Sequence, residues 1–176
     1  MIMDEIWGKS PAFVVIDAQK KFYLERKDWD ERLKKAVADI NAFADAFRSA
    51  GKPVIFVRFE GPTCRPYEGD DGDDLFDGIK FKEGDVYVDK NDMNSFKDTN
   101  LEEVVRSRGC DTVVLAGTVA QYCVLSTYMA AFDHKIKSYL AQGTFLGSTP
   151  EAEASVDCIC KVLTLERIKK FFAEGK

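Results

Sequence analysis

Residues 111–133 read DTVVLAGTVAQYCVLSTYMAAFD. The apolar run from Thr112 to Ala116 predicts a buried strand, Gly117 breaks it, and Cys123 opens a stretch with helical periodicity. A thiol at a strand-to-helix junction is expected near the positive end of the helix dipole, among backbone N–H groups that lack intrahelical partners. Both effects favour thiolate over thiol. Cys123 is therefore a candidate nucleophile, and the chain can be searched for groups that would assist it.

Outward from this stretch, the same rhythm repeats. Ala12 to Asp17 (AFVVID) is a short apolar run ending in a carboxylate, as expected for a strand buried on both faces of a parallel sheet. Asp28-x-x-Glu31 resembles a capping box, and Leu33, Val37, Ile40, Ala44 and Phe47 keep a helical period that Gly51 and Pro53 end. Further strands are predicted at 53–59, 85–90, 111–117, 135–141 and 161–165. Helices are predicted at 100–108, with Asn100 as cap, at 150–159 and at 166–173. Residues 60–84 are irregular and hold the acidic run EGDDGDD (68–74), expected as a solvated loop and a candidate lid. The alternation predicts an α/β fold: three αβα layers around a central, mainly parallel six-stranded sheet, in one domain over residues 1–176.

Composition narrows the function. The chain has 176 residues, 45% of them hydrophobic and 31% charged, with a formal net charge of −5 and one histidine. A nucleic-acid partner, which needs a clustered basic face, is not expected. No apolar run approaches the roughly 18 residues a membrane span requires. The five cysteines (Cys64, Cys110, Cys123, Cys158, Cys160) show no framework spacing, and MIMDEIWGKS at the start has no apolar core of a secretory signal. Free thiols in the cytoplasm are the expectation. Cys158 and Cys160 read as structural thiols, and His134 as a surface or helix-end residue.

Asp17, Lys90 and Cys123 each end an apolar strand or closely follow one. In open α/β sheets ligands bind beyond the carboxyl ends of the strands, where strand order reverses. Each residue alone has a plain reading: a turn former, an exposed lysine, a small core residue. Their shared placement suggests one site.

Three motifs carry a resemblance. VVIDAQKKF (14–22) has an Asp at a strand end followed by Gln and Phe, DVYVDKNDMNSF (85–96) has a Lys shortly before Ser and Phe, and LAGTVAQYCVLSTYMAAFD (115–133) has a Gly six residues before Cys-Val. Together, over about residues 10–170, they resemble the isochorismatase-like cysteine hydrolase superfamily, which includes nicotinamidase and N-carbamoylsarcosine amidohydrolase. The resemblance implies a catalytic triad of Asp17, Lys90 and Cys123. It also implies a cis peptide between Thr118 and Val119, and an oxyanion hole from the N–H groups of Val119 and Cys123. Phe22 would line a substrate pocket, with Gln19 and Tyr122 as further substrate contacts.

The implied activity is hydrolysis of a C–N bond in a small amide or carbamoyl compound, through a thioester and without a cofactor, by a homo-oligomer. The segment VRFEGPTCRPYEGDD (57–71) has no histidine, which argues against the metal site of nicotinamidases. Glu60, Cys64 and the acidic run are not expected to hold a cation. Other readings are an isochorismatase-type or other non-amide hydrolase using Asp17 and Lys90, a non-catalytic small-molecule binder, and a redox-sensing thiol at Cys123.

Overall fold

Every residue of the first strand, β1 (Pro11–Ile16), is buried, because helices cover the sheet on both sides of it. The structure is a computed structural model that describes residues 10–63 and 67–174; the readings of Cys64 and of the first nine residues lie outside these. The other strands are β2 (Val54–Phe59), β3 (Val86–Lys90), β4 (Thr112–Thr118), β5 (Lys137–Leu146) and β6 (Val162–Leu163). The helices are α1 (Trp29–Ser49), α2 (Leu101–Ser107), α3 (Leu125–Ala130), α4 (Pro150–Ile159) and α5 (Leu165–Ala173). All pairings are parallel, in the order β3-β2-β1-β4-β5-β6. The order reverses between β1 and β4, so a crevice is expected there, at the strands' carboxyl ends.

Alternation along β1 sorts the core into two halves. Ala12, Val14 and Ile16 pack with Leu101 and Val105 of α2, Val124, and Val156 of α4. Phe13 and Val15 pack with Ile40, Phe43 and Phe47 of α1 and Ile168 of α5. Phe13 is the pivot of the second half, its ring 5.8 Å from Phe43 and 5.3 Å from Phe47. This is the expected three-layer arrangement.

Details depart from the sequence reading. Asp28 sits at the N-cap of α1, but its side chain makes no capping bond and instead meets Arg32 at 3.4 Å. Asn100 makes none for α2 either; the Thr99 hydroxyl accepts from Leu101 N at 3.2 Å. β6 is two residues long. β5 continues past residue 141, because its polar Gln142-Gly143-Thr144 segment is absorbed by a register shift against β4. Gly143 takes φ +78°, and the Thr144 hydroxyl donates to Ala141 O.

The acidic run is solvent-exposed at Glu68, Asp70, Asp73 and Asp74, as expected of a solvated loop, and it is also fastened to its neighbours. It lies antiparallel along the segment after Asp17, bridging Gln19 to Leu75. Lys20 pairs with Asp71 and Asp77, and Lys21 pairs with Asp73. The backbone N–H groups of Lys20 and Lys21 donate to Asp74 O and Gly72 O.

Gly117 does not end β4 but lies within it, opposite Ile16, at φ +115°. A Cβ there would stand 1.9 Å from Ile16 O, so only glycine lets β1 and β4 close at this end. Gly117→Ala is expected to cost about 3 kcal/mol or more, lowering Tm by roughly 6–12 °C for a chain of this size. An unchanged melting temperature by circular dichroism would contradict the close approach.

Candidate active site

The carboxyl ends of β1, β3 and β4 deliver one acid, one ammonium and one thiol to the same place. Asp17 directly follows β1, and its backbone takes φ +47°, a left-handed conformation that aspartate tolerates better than most side chains. The bend is held from both neighbouring strands. Asp17 N donates to Val57 O at 2.9 Å, and the Thr118 hydroxyl donates to Asp17 O.

Lys90 ends β3, and its stem passes the end of β2, with the ammonium 5.4 Å from the centre of the Phe59 ring. Its Nζ lies 2.8 Å from Asp17 Oδ2, and both side chains are fully buried. It also donates to Asp92 O at 2.9 Å and Met93 O at 3.3 Å. The ammonium therefore faces three oxygens, two of them backbone carbonyls that accept its hydrogen bonds and the third the carboxylate of its ion pair. The carboxylate is less well served. No hydrogen bond of good geometry reaches either oxygen, and the Lys90 contact holds Oδ2 as an ion pair. The Cys123 thiol is close enough to the same carboxyl for each to perturb the other's ionisation.

Cys123 follows β4 through a peptide bond, Thr118–Val119, that is cis. The sequence reading opens a helix at Cys123; in the structure Cys123 lies inside a π-helical turn, Ala120–Val124, that precedes α3. Such turns are frequent at functional sites. The thiol is not the thiolate expected from its position. Burial pushes it up to about 12, the Asp17 charge adds to this, and Lys90 works against it. Six residues of α3 supply too little dipole to offset desolvation of this size. Burial likewise raises the Asp17 carboxyl above its usual range, against the lowering by Lys90 and by the neighbouring thiol. The geometry thus places a carboxyl of raised pKa, 2.8 Å from the Lys90 ammonium, in the neighbourhood of a thiol whose ionisation burial opposes.

The remaining expected residues fall around this group. Phe22 is half-buried, with its ring edge-on to Phe59 at 6.0 Å. Gln19 is buried, and its amide is engaged by backbone: Nε2 donates to Phe59 O and Asp73 O, and Oε1 accepts from Phe59 N. Gln19 thereby ties the end of β2 and the acidic run to Asp17. Tyr122, next to Cys123, is 54% exposed. Val119 is half-buried, and its carbonyl accepts from Tyr122 N at 2.9 Å.

Other residues of the site escaped the sequence reading. Phe59 packs under two ammonium groups, those of Lys90 and Lys21, and its place as the last apolar residue of β2 was the available signal. Gln121 binds Ser148 beyond β5, through contacts that no spacing rule predicts. Ser95 and Thr127 form a buried pair. The three expected residues are closely packed, with Cys123 retaining 6% exposure against 0% for Asp17 and 1% for Lys90. A cavity of about 350 Å³ beside the acidic run is bounded by Lys21, Glu60, Tyr67 and Asp73, and by none of Asp17, Lys90 and Cys123. Among the described residues no group of three or more His, Cys, Asp or Glu side chains is placed to hold a metal ion, and no helix is long and apolar enough to cross a membrane.

A sequence profile of the Isochorismatase domain matches residues 11–156. A secreted isochorismatase effector of Verticillium dahliae is 34% identical over 66% of this chain, and the match spans 62% of that protein. A ureidoacrylate amidohydrolase of Pseudomonas savastanoi is 28% identical over 69% of this chain and 64% of its own length. The crystal structure of N-carbamoylsarcosine amidase from Thermoplasma acidophilum superposes with a TM-score of 0.74 at 25% identity, covering 89% of this chain and 97% of that one. The profile spans most of the chain: this protein belongs to the isochorismatase family, whose members are hydrolases.

Proposed function

We propose that this protein is a cysteine-dependent hydrolase that cleaves a C–N bond of a small amide or carbamoyl compound through a thioester on Cys123. The observation that carries the reading is the buried grouping of Asp17, Lys90 and Cys123 at the point where strand order reverses. The relatives named for amidohydrolase activity support the C–N bond over other targets.

The group works as a unit because it is closed to water. Ionising the thiol by releasing a proton to solvent leaves an unbalanced charge in a desolvated site, which burial opposes. Passing that proton to Asp17 leaves the net charge unchanged: carboxylate and thiol become carboxylic acid and thiolate, and the Lys90 charge then faces the sulfur. The thiolate attacks the substrate carbonyl carbon. The oxyanion that forms is received by the N–H groups of Val119 and Cys123, an arrangement in which losing one donor costs about 10²–10³ in rate. Asp17 returns the proton to the leaving nitrogen as the C–N bond breaks, giving ammonia or an amine and a thioester. Asp17 then takes a proton from water, which attacks the thioester and releases the carboxylic acid and the thiol.

Phe22, Gln19 and Tyr122 belong to the substrate side of the same proposal, Gln19 by fixing Phe59 and the acidic run. The acidic run, strapped by Lys20 and Lys21, bounds the cavity of about 350 Å³. A reducing compartment such as the cytoplasm is the proposed location, since the described cysteines Cys110, Cys123, Cys158 and Cys160 are all free. A homo-oligomer is proposed with it, by resemblance to the family.

Ammonia release from a panel of small amides, ureas and carbamoyl compounds tests the reaction. At least one compound should be hydrolysed, and Cys123→Ala should lower turnover by at least about 10³-fold while leaving the circular dichroism spectrum unchanged. Undiminished hydrolysis in that variant would overturn the covalent route. The raised thiol also predicts a pH effect on stability. Between the ordinary thiol range near 9 and about 12, unfolded chains lose a proton that the folded chain keeps, so stability falls with rising pH. The contribution is at most about 1.4 kcal/mol per pH unit. Cys123→Ala should remove this part of the slope in urea unfolding curves taken from pH 8 to 11; identical slopes in the two proteins would show an unburied thiol.

A further inference from the structure

We infer that Thr127 is a positioning residue for the Lys90 ammonium, acting through Ser95; this rests on the triad proposed above.

Two of the three acceptors around Lys90 Nζ, Asp92 O and Met93 O, belong to the turn that follows β3. Where that turn sits decides where the ammonium sits. The turn is fastened to the nucleophile's own helix by one fully buried polar pair. Ser95 N donates to Thr127 Oγ1 at 3.0 Å, and Thr127 Oγ1 donates to Ser95 Oγ at 2.8 Å, with both residues at 0% exposure. The Thr99 hydroxyl donates to Ser95 O at 2.7 Å and closes the far side. Thr127 lies four residues beyond Cys123, about one helical turn, so the thiol and the clamp share one rigid segment. The chain of contact therefore runs from Cys123 through Thr127 and Ser95 to the carbonyls that hold Lys90, and back to Asp17.

Other ties of the turn are weaker guides. The Asp92–Lys97 ion pair is half-exposed on both sides and is screened by solvent. Phe96 stacks on the His134 ring at 4.7 Å, a contact with freedom to slide in the ring plane. Only the Ser95–Thr127 pair combines direction with full burial. Its loss strands the Ser95 N–H and hydroxyl without partners, and the turn must shift to satisfy them.

Thr127→Val keeps the shape and removes the hydroxyl, while Thr127→Ser keeps the hydroxyl. The direct readout is the rate at which iodoacetamide labels the Cys123 peptide, followed by mass spectrometry from pH 7 to 10. A displaced ammonium leaves the thiol harder to ionise. Thr127→Val should therefore label about tenfold more slowly at pH 8, its rate profile moved upward by about one pH unit. Thr127→Ser should stay within about twofold of the parent. On any compound the parent hydrolyses, Thr127→Val should lose kcat by about 10–100-fold with KM little changed.

Labelling within twofold of the parent in a folded Thr127→Val protein would overturn the inference, as would equal losses in Thr127→Ser. If Thr127→Val does not fold, Ser95→Ala removes one of the two bonds and carries the same test, with slower labelling expected and unchanged labelling overturning the idea. The labelling arm does not depend on turnover, so hydrolysis that survives Cys123→Ala would sink the proposed function without deciding the role of Thr127.

Discussion

A lysine and an aspartate, both fully enclosed and 2.8 Å apart, set the terms for the rest of this protein. A buried charge is tolerated only when its partner and its remaining hydrogen bonds are in place. For the lysine the surrounding structure supplies them from several elements, whereas the carboxylate has the ion pair alone. β1 brings the carboxylate, β3 brings the ammonium, and the turn after β3 brings two carbonyls. β2 lies between, with the Phe59 ring beside the lysine stem. Breaking one member would leave a bare charge in the core, which typically costs about 3–5 kcal/mol. The pair therefore ties the integrity of the fold to the integrity of the site.

The thiol is the third member, and its chemistry follows from the pair. Helix position alone would make Cys123 acidic, but desolvation and the neighbouring carboxylate outweigh that effect. In the proposed mechanism the sulfur becomes reactive as Asp17 takes its proton while Lys90 faces the charge that results, so the site would exchange protons internally. The left-handed backbone at Asp17 and the glycine at 117 are the geometric conditions for it, since together they allow two adjacent strands to end at the same point.

Much of this was legible in the sequence because strands buried on both faces leave a strong apolar signature. AFVVI and TVVLA mark two adjacent central strands, and the polar residues that end or follow such runs stand out. Asp17, Lys90 and Cys123 were visible for that reason. Order and register were not, because pairing is long-range: Ile16 meets Gly117 across a hundred positions of chain. The same limit hid Gln121 with Ser148 and Ser95 with Thr127. The Gln142-Gly143-Thr144 segment reads as a strand end, and only the register shift against β4 keeps it in the sheet. The sign of the Cys123 shift was missed because local dipole arguments say nothing about how deeply a side chain will be enclosed.

The central claim is that acid, ammonium and sulfur form one neutral unit whose working product is an acyl group on sulfur. Acid quenching during turnover of a hydrolysed amide, followed by peptide mass mapping, tests it most directly. The account predicts a transient mass increase equal to the acyl group on the peptide holding Cys123 and on no other. Full turnover with that peptide unmodified at every quench time, or with the acyl group on a different residue, would contradict it.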